Sequence, residues 1–508
     1  MTRRLEHVVI AGGGTAGWMT AAALSNAFRN SGLRITLVES SEIASVGVGE
    51  ATIPAIHYFN SVLGIDQAEF LRACQGTFKL GIDFVDWGGL GRRYIHPFSL
   101  YGRDFKNIFF HELFLRYARL IEARGQTASI DDYNISSVAA RRGRFSHPVA
   151  GERNEVAPLN YAFHFDASLY AKFLRAFSEA RGVVRIDAKI ASVHQHGETG
   201  HIRALQLDDG REVEGDLFID CTGQRALLIE QTLKSGYEDW SHWLPCDTAV
   251  AAPCANVEPP VPYTRSTADL SGWRWRIPLQ HRVGNGYVYS SRFIDHDAAE
   301  RRLVETLEGE PTAAPRRIPF RTGRRKAFWI GNCVAIGLAS GFLEPLESTS
   351  IHLIQTAVLK LLALFPDRSF EAAETDTFNR HTTAEYERIR DFLILHYKAS
   401  QRDDSPFWRY CRDMAVPDSL SQVMALFESR GRMLISADHL FTGASWLSVM
   451  LGQGIQPRGY DPLADMIPEA ELVAFMTSVR DHIDKKTAAM PSHHDYVRNF
   501  CASHALAG

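Results

Sequence analysis

The run His7-Val8-Val9-Ile10 is followed by Ala11-Gly12-Gly13-Gly14-Thr15-Ala16-Gly17-Trp18 and then by the Ala-rich Met19-Thr20-Ala21-Ala22-Ala23-Leu24. This order restricts the fold more than any other stretch. A short β-branched run reads as a buried parallel strand, and an Ala-rich one as a helix. Gly12, Gly14 and Gly17 have the G-x-G-x-x-G spacing between them. Two such glycines permit a tight turn and close approach to a pyrophosphate, and the third lets helix and strand pack. A second strand, Leu33-Arg34-Ile35-Thr36-Leu37-Val38, ends in Glu39, 22 residues past Gly17, where a ribose hydroxyl needs an acid. The reading is a dinucleotide site, with FAD and NAD both open.

Further along, Leu217-Phe218-Ile219-Asp220-Cys221-Thr222-Gly223 reads as another buried strand ending in a glycine turn, so the nucleotide domain resumes after an insertion. Tyr161–Asp166 reads as a strand leading into a helix over 167–181, and Asp208-Asp209-Gly210-Arg211 has hairpin chemistry. Gly284-Asn285-Gly286 reads as a second hairpin within an antiparallel meander. From 366 onward the pattern is mainly helical. With 508 residues, the expected architecture is α/β with a helical C-terminal part.

A net charge of -4, from 55 basic and 59 acidic residues, argues against nucleic acid or an anionic membrane as partner. Seven scattered cysteines form no C-x-x-C pair, so reduced thiols are expected instead of a disulfide or zinc framework. The N-terminus enters the first strand directly, and no apolar run approaches the ~18 residues of a membrane span. A cytoplasmic protein is expected.

Four segments leave a bland and a chemical reading side by side. Val46-Gly47-Val48-Gly49-Glu50-Ala51 is a plain loop or a close backbone approach. Lys79 lies among apolar neighbours in Phe78–Phe84, read as one strand, where a snorkelling lysine is the ordinary outcome. Trp273 and Trp275 share a face if their segment is a strand, as packed aromatics commonly do. Glu347-Ser348-Thr349-Ser350 enters a helix predicted over 351–365, and its N–H groups would suit an anion or merely a capping hydroxyl.

At the tryptophan pair the sequence resembles the flavin-dependent tryptophan and indole halogenases, over most of its length. Trp273-Arg274-Trp275-Arg276-Ile277-Pro278 is similar to that family's W-x-W-x-I-P signature. Gly12–Gly17 and Gly47–Pro54 resemble its FAD loop and strap, Phe78-Lys79-Leu80-Gly81 its lysine segment, and Glu344–Thr349 its catalytic-glutamate and halide segment. The resemblance implies an FAD-binding Rossmann-like domain of the flavin monooxygenase type, with an interleaved substrate region. It places the FAD core at 1–60 and 160–365, with an antiparallel sheet about 245–330. A largely helical, substrate-covering region would take 61–159 and 366–508.

The resemblance also implies site roles. FAD would be held by Gly12, Gly14, Thr15, Ala16, Gly17, Glu39, Gly49, Ala51, Ile190, Leu338 and Ile351. Thr349 and Ser350 would hold chloride or bromide, and Lys79 and Glu347 would be catalytic. His96, Phe98, Trp273, Trp275 and Ser348 would line the substrate pocket and tunnel. Reduced FAD from a separate NAD(P)H-dependent reductase, with O2, would oxidise the halide to hypohalous acid. Lys79 would then direct the halogen onto an indole ring. A homodimer is left open.

Two departures from the family matter. The halide loop ends in Ser350 where the family often has Gly, and His439–Trp446 lacks the Tyr-Tyr pair and glutamate that clamp tryptophan. A more open pocket, for free indole or a larger indole compound, is expected. The competing readings are an aromatic hydroxylase, which gives Lys79 and the tryptophan pair no purpose, and a non-catalytic flavin-binding protein.

Overall fold

The run Val8–Ala11 is buried on both faces because it lies at the centre of a mostly parallel sheet. The computed structural model describes residues 4–43, 49–149 and 156–503, and they fall into two compact units. The first comprises 1–76, 165–242 and 319–387, and the second 77–164, 243–318 and 388–508. The class is α/β, with a parallel Rossmann-like sheet and a helical C-terminal part.

In the first unit, six strands lie in the order Trp329–Ile330, Cys333–Ala335, Leu217–Asp220, His7–Ala11, Arg34–Glu39, Val184–Asp187. All neighbours are parallel except the first pair. The helix Thr15–Ala27 is apolar almost all round and buried almost throughout, as expected where both flanks are covered. It packs on Ala167–Glu179 and Ser350–Ala363. Asp220, buried at the end of its strand, accepts the N–H groups of Thr222, Leu228 and Ile229 and so closes the turn that follows. The Asp209-Gly210 turn joins Ile202–Leu207 to Glu212–Glu214, with Gly210 at φ 89°.

In the second unit, strands Thr248–Ala251, Val283–Tyr289, Gly272–Pro278, Thr264–Asp269, Gly81–Val85 and Arg93–Pro97 are neighbours in that order. They are antiparallel except for Thr264–Asp269 against Gly81–Val85. Helices surround them, including Phe110–Glu122, Gly443–Gly452, Glu469–Ala489 and His493–Cys501.

Two sequence expectations are corrected. Gly284-Asn285-Gly286 is not a hairpin but the interior of a strand; the reversal occurs before it, where Leu279 N–H bonds to Arg282 O. Gly286 is small for another reason: a Cβ there would lie 2.1 Å from the Trp275 ring. The strand read over 78–84 is broken at Leu80 into Thr77–Lys79 and Gly81–Val85, which belong to different sheets. Leu80 donates to Pro262 O, and at Gly81 a Cβ would sit 2.4 Å from His96 O. Both causes are remote in sequence.

All seven cysteines are buried, and none is joined in a disulfide. No helix among the described residues is long and apolar enough to cross a membrane.

The helix Ser350–Ala363 is fastened by Glu385. That carboxylate takes Lys360 Nζ at 2.7 Å, Thr356 Oγ1 at 3.0 Å and His352 Nε2 at 3.3 Å. Burial works to raise its pKa, but the His352 hydrogen bond and the Lys360 charge outweigh it and hold the carboxyl at about 2. A carboxyl depressed on folding stabilises the protein above its unfolded pKa and loses that contribution as pH falls through the folded one. Glu385→Gln should therefore lower stability at neutral pH by on the order of 3 kcal/mol. Its denaturant midpoint should also fall less steeply than the wild type's between pH 4.5 and about 2.

Candidate functional site

In the first unit the glycine turn is shaped by close contacts at Gly12 and Gly17. Gly12 has φ 105°, and a Cβ there would meet Cys221 O at 2.2 Å. At Gly17 a Cβ would meet Gly12 O at 1.9 Å, so the helix rests directly on the turn. At Gly14, by contrast, a Cβ would meet nothing within 4 Å. Gly14 is also the N-cap of Thr15–Ala27, with no side chain capping the helix and no acid in its first turn. Open space over uncapped amides at a positive helix end is the cradle that a pyrophosphate fits.

Glu39 ends its strand where the spacing placed it. Arg185 bonds one carboxylate oxygen, while the other lies against Gly13, where a Cβ would be 1.5 Å away. An acceptor is thus held against the turn, as a ribose hydroxyl requires. Gly337, at φ 73°, approaches Ala16 so closely that a Cβ would be 2.7 Å from the alanine methyl, which brings the Gly337–Ala339 turn and Leu338 onto the start of that helix. Ala51 is buried in the strand Gly49–Ala51, and Ile190 packs partly buried beneath Leu205 and Leu207. Gly47 and Val48 of the strap lie outside the described residues.

The second feature of this unit is the entry to Ser350–Ala363. Pro345–Glu347 forms one 3-10 turn with Glu347 fully buried, and Ser348 follows at φ 60°, ψ 37°. A serine in the left-handed region costs roughly 1–2 kcal/mol, a strain typical of sites where the backbone must be aimed. Thr349 then occupies the N-cap at φ -88°, ψ -11° without capping, and its buried Oγ1 has no hydrogen-bond partner among the described residues. Ser350 and Ile351 open the helix, with Ile351 buried. A threonine is a natural cap, so a cap residue turned away from that task leaves both amides and a hydroxyl for something else. The donor set suits a small anion.

The second unit gathers the remaining residues. Lys79 closes the strand Thr77–Lys79, is fully buried, and carries its Nζ 5.1 Å from the centroid of the Phe98 ring. Lysine is almost never fully buried, and the face of an aromatic ring is one of the few apolar surfaces that attracts its charge. His96 lies on Arg93–Pro97, opposite Ile82 of the strand that follows Lys79, within 5.7 Å of the Phe392 ring and 6.1 Å of Phe441. Phe392 stacks on Phe441 at 3.9 Å and meets Trp446 edge-on at 5.1 Å.

Phe392 was missed by sequence reasoning. Its signal was present, because Asp391-Phe392-Leu393-Ile394-Leu395-His396-Tyr397 is buried on every face inside an otherwise polar helix.

Trp273 and Trp275 occupy one face of Gly272–Pro278, ring centroids 6.2 Å apart, and both are buried. Trp275 lies over Gly286, and Trp273 meets Trp87 at 6.3 Å. Trp87 is fixed in turn by its Nε1 bond to Ser266 O and by Ser400. The pair forms part of a rigid aromatic wall.

The tryptophan halogenase family model matches residues 7–469. Tryptophan 7-halogenase RebH of Lentzea aerocolonigenes is 33% identical, with 98% of this chain and 99% of that protein covered. Among solved structures, Xcc4156, a flavin-dependent halogenase from Xanthomonas campestris, is similar with a TM-score of 0.94 and 49% identity over 99% of each chain. BrvH, a flavin-dependent halogenase from Brevundimonas sp. BAL3, gives 0.94 and 48% over 98% of this chain and 99% of that one.

An unpartnered buried hydroxyl is destabilising in the absence of a ligand. Thr349→Val, nearly isosteric, should therefore raise unfolding stability by about 1 kcal/mol in halide-free buffer. Thermal unfolding measures it, and a loss would mean that the hydroxyl serves the fold.

Proposed function

The chain belongs to the tryptophan halogenase family, and on that premise we propose a two-site halogenase that oxidises halide in its first unit and halogenates an indole-type ring in its second. The observation that carries this reading is the fully buried amine of Lys79 over the Phe98 ring.

Bound in reduced form and supplied with O2, FAD provides the oxidation that converts chloride or bromide to hypohalous acid. The chain's own residues do the rest. The amides at Gly12, Gly14, Thr15, Ala16 and Gly17 hold the pyrophosphate, and Glu39 accepts a ribose hydroxyl. Gly49, Ala51, Ile190, Leu338 and Ile351 enclose the rest of the cofactor. A separate NAD(P)H flavin reductase supplies the reduced form, and both work in the cytoplasm.

Thr349 and Ser350 hold the halide through N–H and hydroxyl donors at the helix start, and Ser348 aims them. Such donors bind an anion without adding a titratable group. Trp273 and Trp275 keep water and substrate from meeting the oxidant elsewhere. In the second unit, the Lys79 ammonium donates to the oxygen of hypohalous acid and fixes where its halogen is presented. His96 and Phe98 hold the ring at that point, by edge and face contacts. Glu347, a fully buried carboxylate of the first unit, is assigned as the second catalytic residue, a group able to accept a proton.

The lid segment narrows the substrate. Asp438 is the sole acid from 433 to 450, and Arg388 takes its carboxylate at 2.6 Å. It is committed, and a substrate ammonium finds no free partner there. Free indole and larger indole compounds lacking an amino-acid group fit better than tryptophan.

Lys79→Ala should retain FAD binding and reduce indole halogenation to background; product formation by this variant with FAD, a reductase and bromide would overturn the assignment. In a substrate panel read by mass spectrometry, free indole should exceed tryptophan in kcat/KM by about tenfold, the value of one missing charged contact. Equal or reversed values would restore a clamp.

A further inference from the structure

The strand that carries Lys79 is three residues long and lies at the edge of its sheet. Its inner edge pairs Thr77, Phe78 and Lys79 with His164, Phe163 and Ala162. Among the described residues the outer edge has no strand beside it, so the two amides flanking Lys79 on that side, Phe78 N–H and Leu80 N–H, need other partners. Leu80 N–H reaches Pro262 O directly at 2.8 Å. Phe78 N–H instead reaches the imidazole of His493, donating to Nε2 at 3.2 Å, and His493 Nδ1 bonds to Pro260 O at 2.6 Å. The ring is thus an insert between the 260–262 segment and the strand.

This arrangement allows one protonation state. Nε2 faces a donor and must carry a lone pair, so Nδ1 bears the hydrogen given to Pro260. Burial keeps the ring neutral, with its pKa pulled down to about 4. On the inner edge, Thr77 Oγ1 donates to Pro278 O and so accepts from His164 Nδ1, while His164 Nε2 accepts from Thr264 Oγ1 at 2.9 Å. Burial first, and then the Lys79 charge, holds His164 far below its ordinary value.

The helix that bears His493 also grips the strand by packing. Tyr496 and Phe500 lie 5.6 and 6.0 Å from the Phe78 ring, with Phe145 stacked on its other side at 4.1 Å.

We propose that His493 is a positioning residue for halogen transfer, its Nε2 fixing the Phe78 amide and thereby the place at which the Lys79 amine is presented. The proposal rests on Lys79 directing the halogen, and it assigns the far C-terminal helix a part in that step. His493 acts here through the Phe78 amide and Pro260 O, the two hydrogen-bond partners of its ring.

The test uses the full chain with FAD, a flavin reductase, bromide and indole. It measures brominated indole against total hypobromous acid captured by a small β-diketone trap, per bound FAD so that unfolded protein drops out. Asn places an amide where Nδ1 stands and abandons Phe78. Gln keeps an acceptor where Nε2 stands.

His493→Asn should lower kcat for indole by about tenfold or more, as sub-ångström misplacement of a reacting group does, and divert bromine to the trap. KM for indole should stay within about threefold, since ring contacts are intact. His493→Gln should restore most of the coupling. If the Asn variant does not fold, His493→Ser removes the same acceptor.

Equal loss in the Gln and Asn variants, or wild-type coupling without the acceptor, overturns the proposal. Lys79→Ala run in parallel separates the two readings. Indole bromination by that variant refutes the lysine's role itself, whereas its loss beside full coupling in His493→Asn refutes only the positioning role.

Discussion

Burying the amine of Lys79 is the constraint around which the second unit is arranged. An ammonium taken out of water costs several kcal/mol unless its surroundings answer the charge. The answer begins with the Phe98 ring beneath it. It continues in what the neighbouring histidine is denied: His164, fully buried beside the lysine, cannot take a second proton. Neutral rings with fixed tautomers then serve the strand that carries the amine, His164 donating to Thr77 Oγ1 and His493 accepting from Phe78 N–H. The geometry of the lysine and the ionisation of its neighbours are one problem with one solution.

The first unit presents a different case, two helix starts whose donors suit negative groups, with no positive side chain at either among the described residues. At both, backbone amides at a helix start are the donors. At both, the residue that would normally cap the helix leaves them open: Gly14 has no side chain and Thr349 turns its own away. Left-handed Ser348 is the strain associated with the second cradle. Fixed dipoles suit ligands that enter and leave during turnover, because no proton has to move when they do.

Local patterns were legible in the sequence wherever the cause was local. The glycine spacing, the acid at the end of the second strand and the shared face of Trp273 and Trp275 follow from strand and turn geometry within a few residues. What could not be read depends on remote partners. The break at Leu80 is made by Pro262 O and by the His96 carbonyl against Gly81. Gly286 looked like turn chemistry because the tryptophan ring it accommodates is on another strand. Phe78 and its histidine are 415 residues apart. The placement of Lys79 in a three-residue strand of a separate sheet was therefore invisible to any window along the chain.

The placement of the cysteines has a consequence for durability. An enzyme that makes hypohalous acid is its own nearest target, and thiols are among the side chains most readily oxidised, in proportion to their exposure and thiolate character. All seven thiols lie inside the fold. Burial pushes those of Cys74, Cys221 and Cys333 well above the usual range, away from the reactive thiolate. The surface offers no sulfhydryl to oxidant that escapes, so the packing that stabilises the protein also serves as its armour.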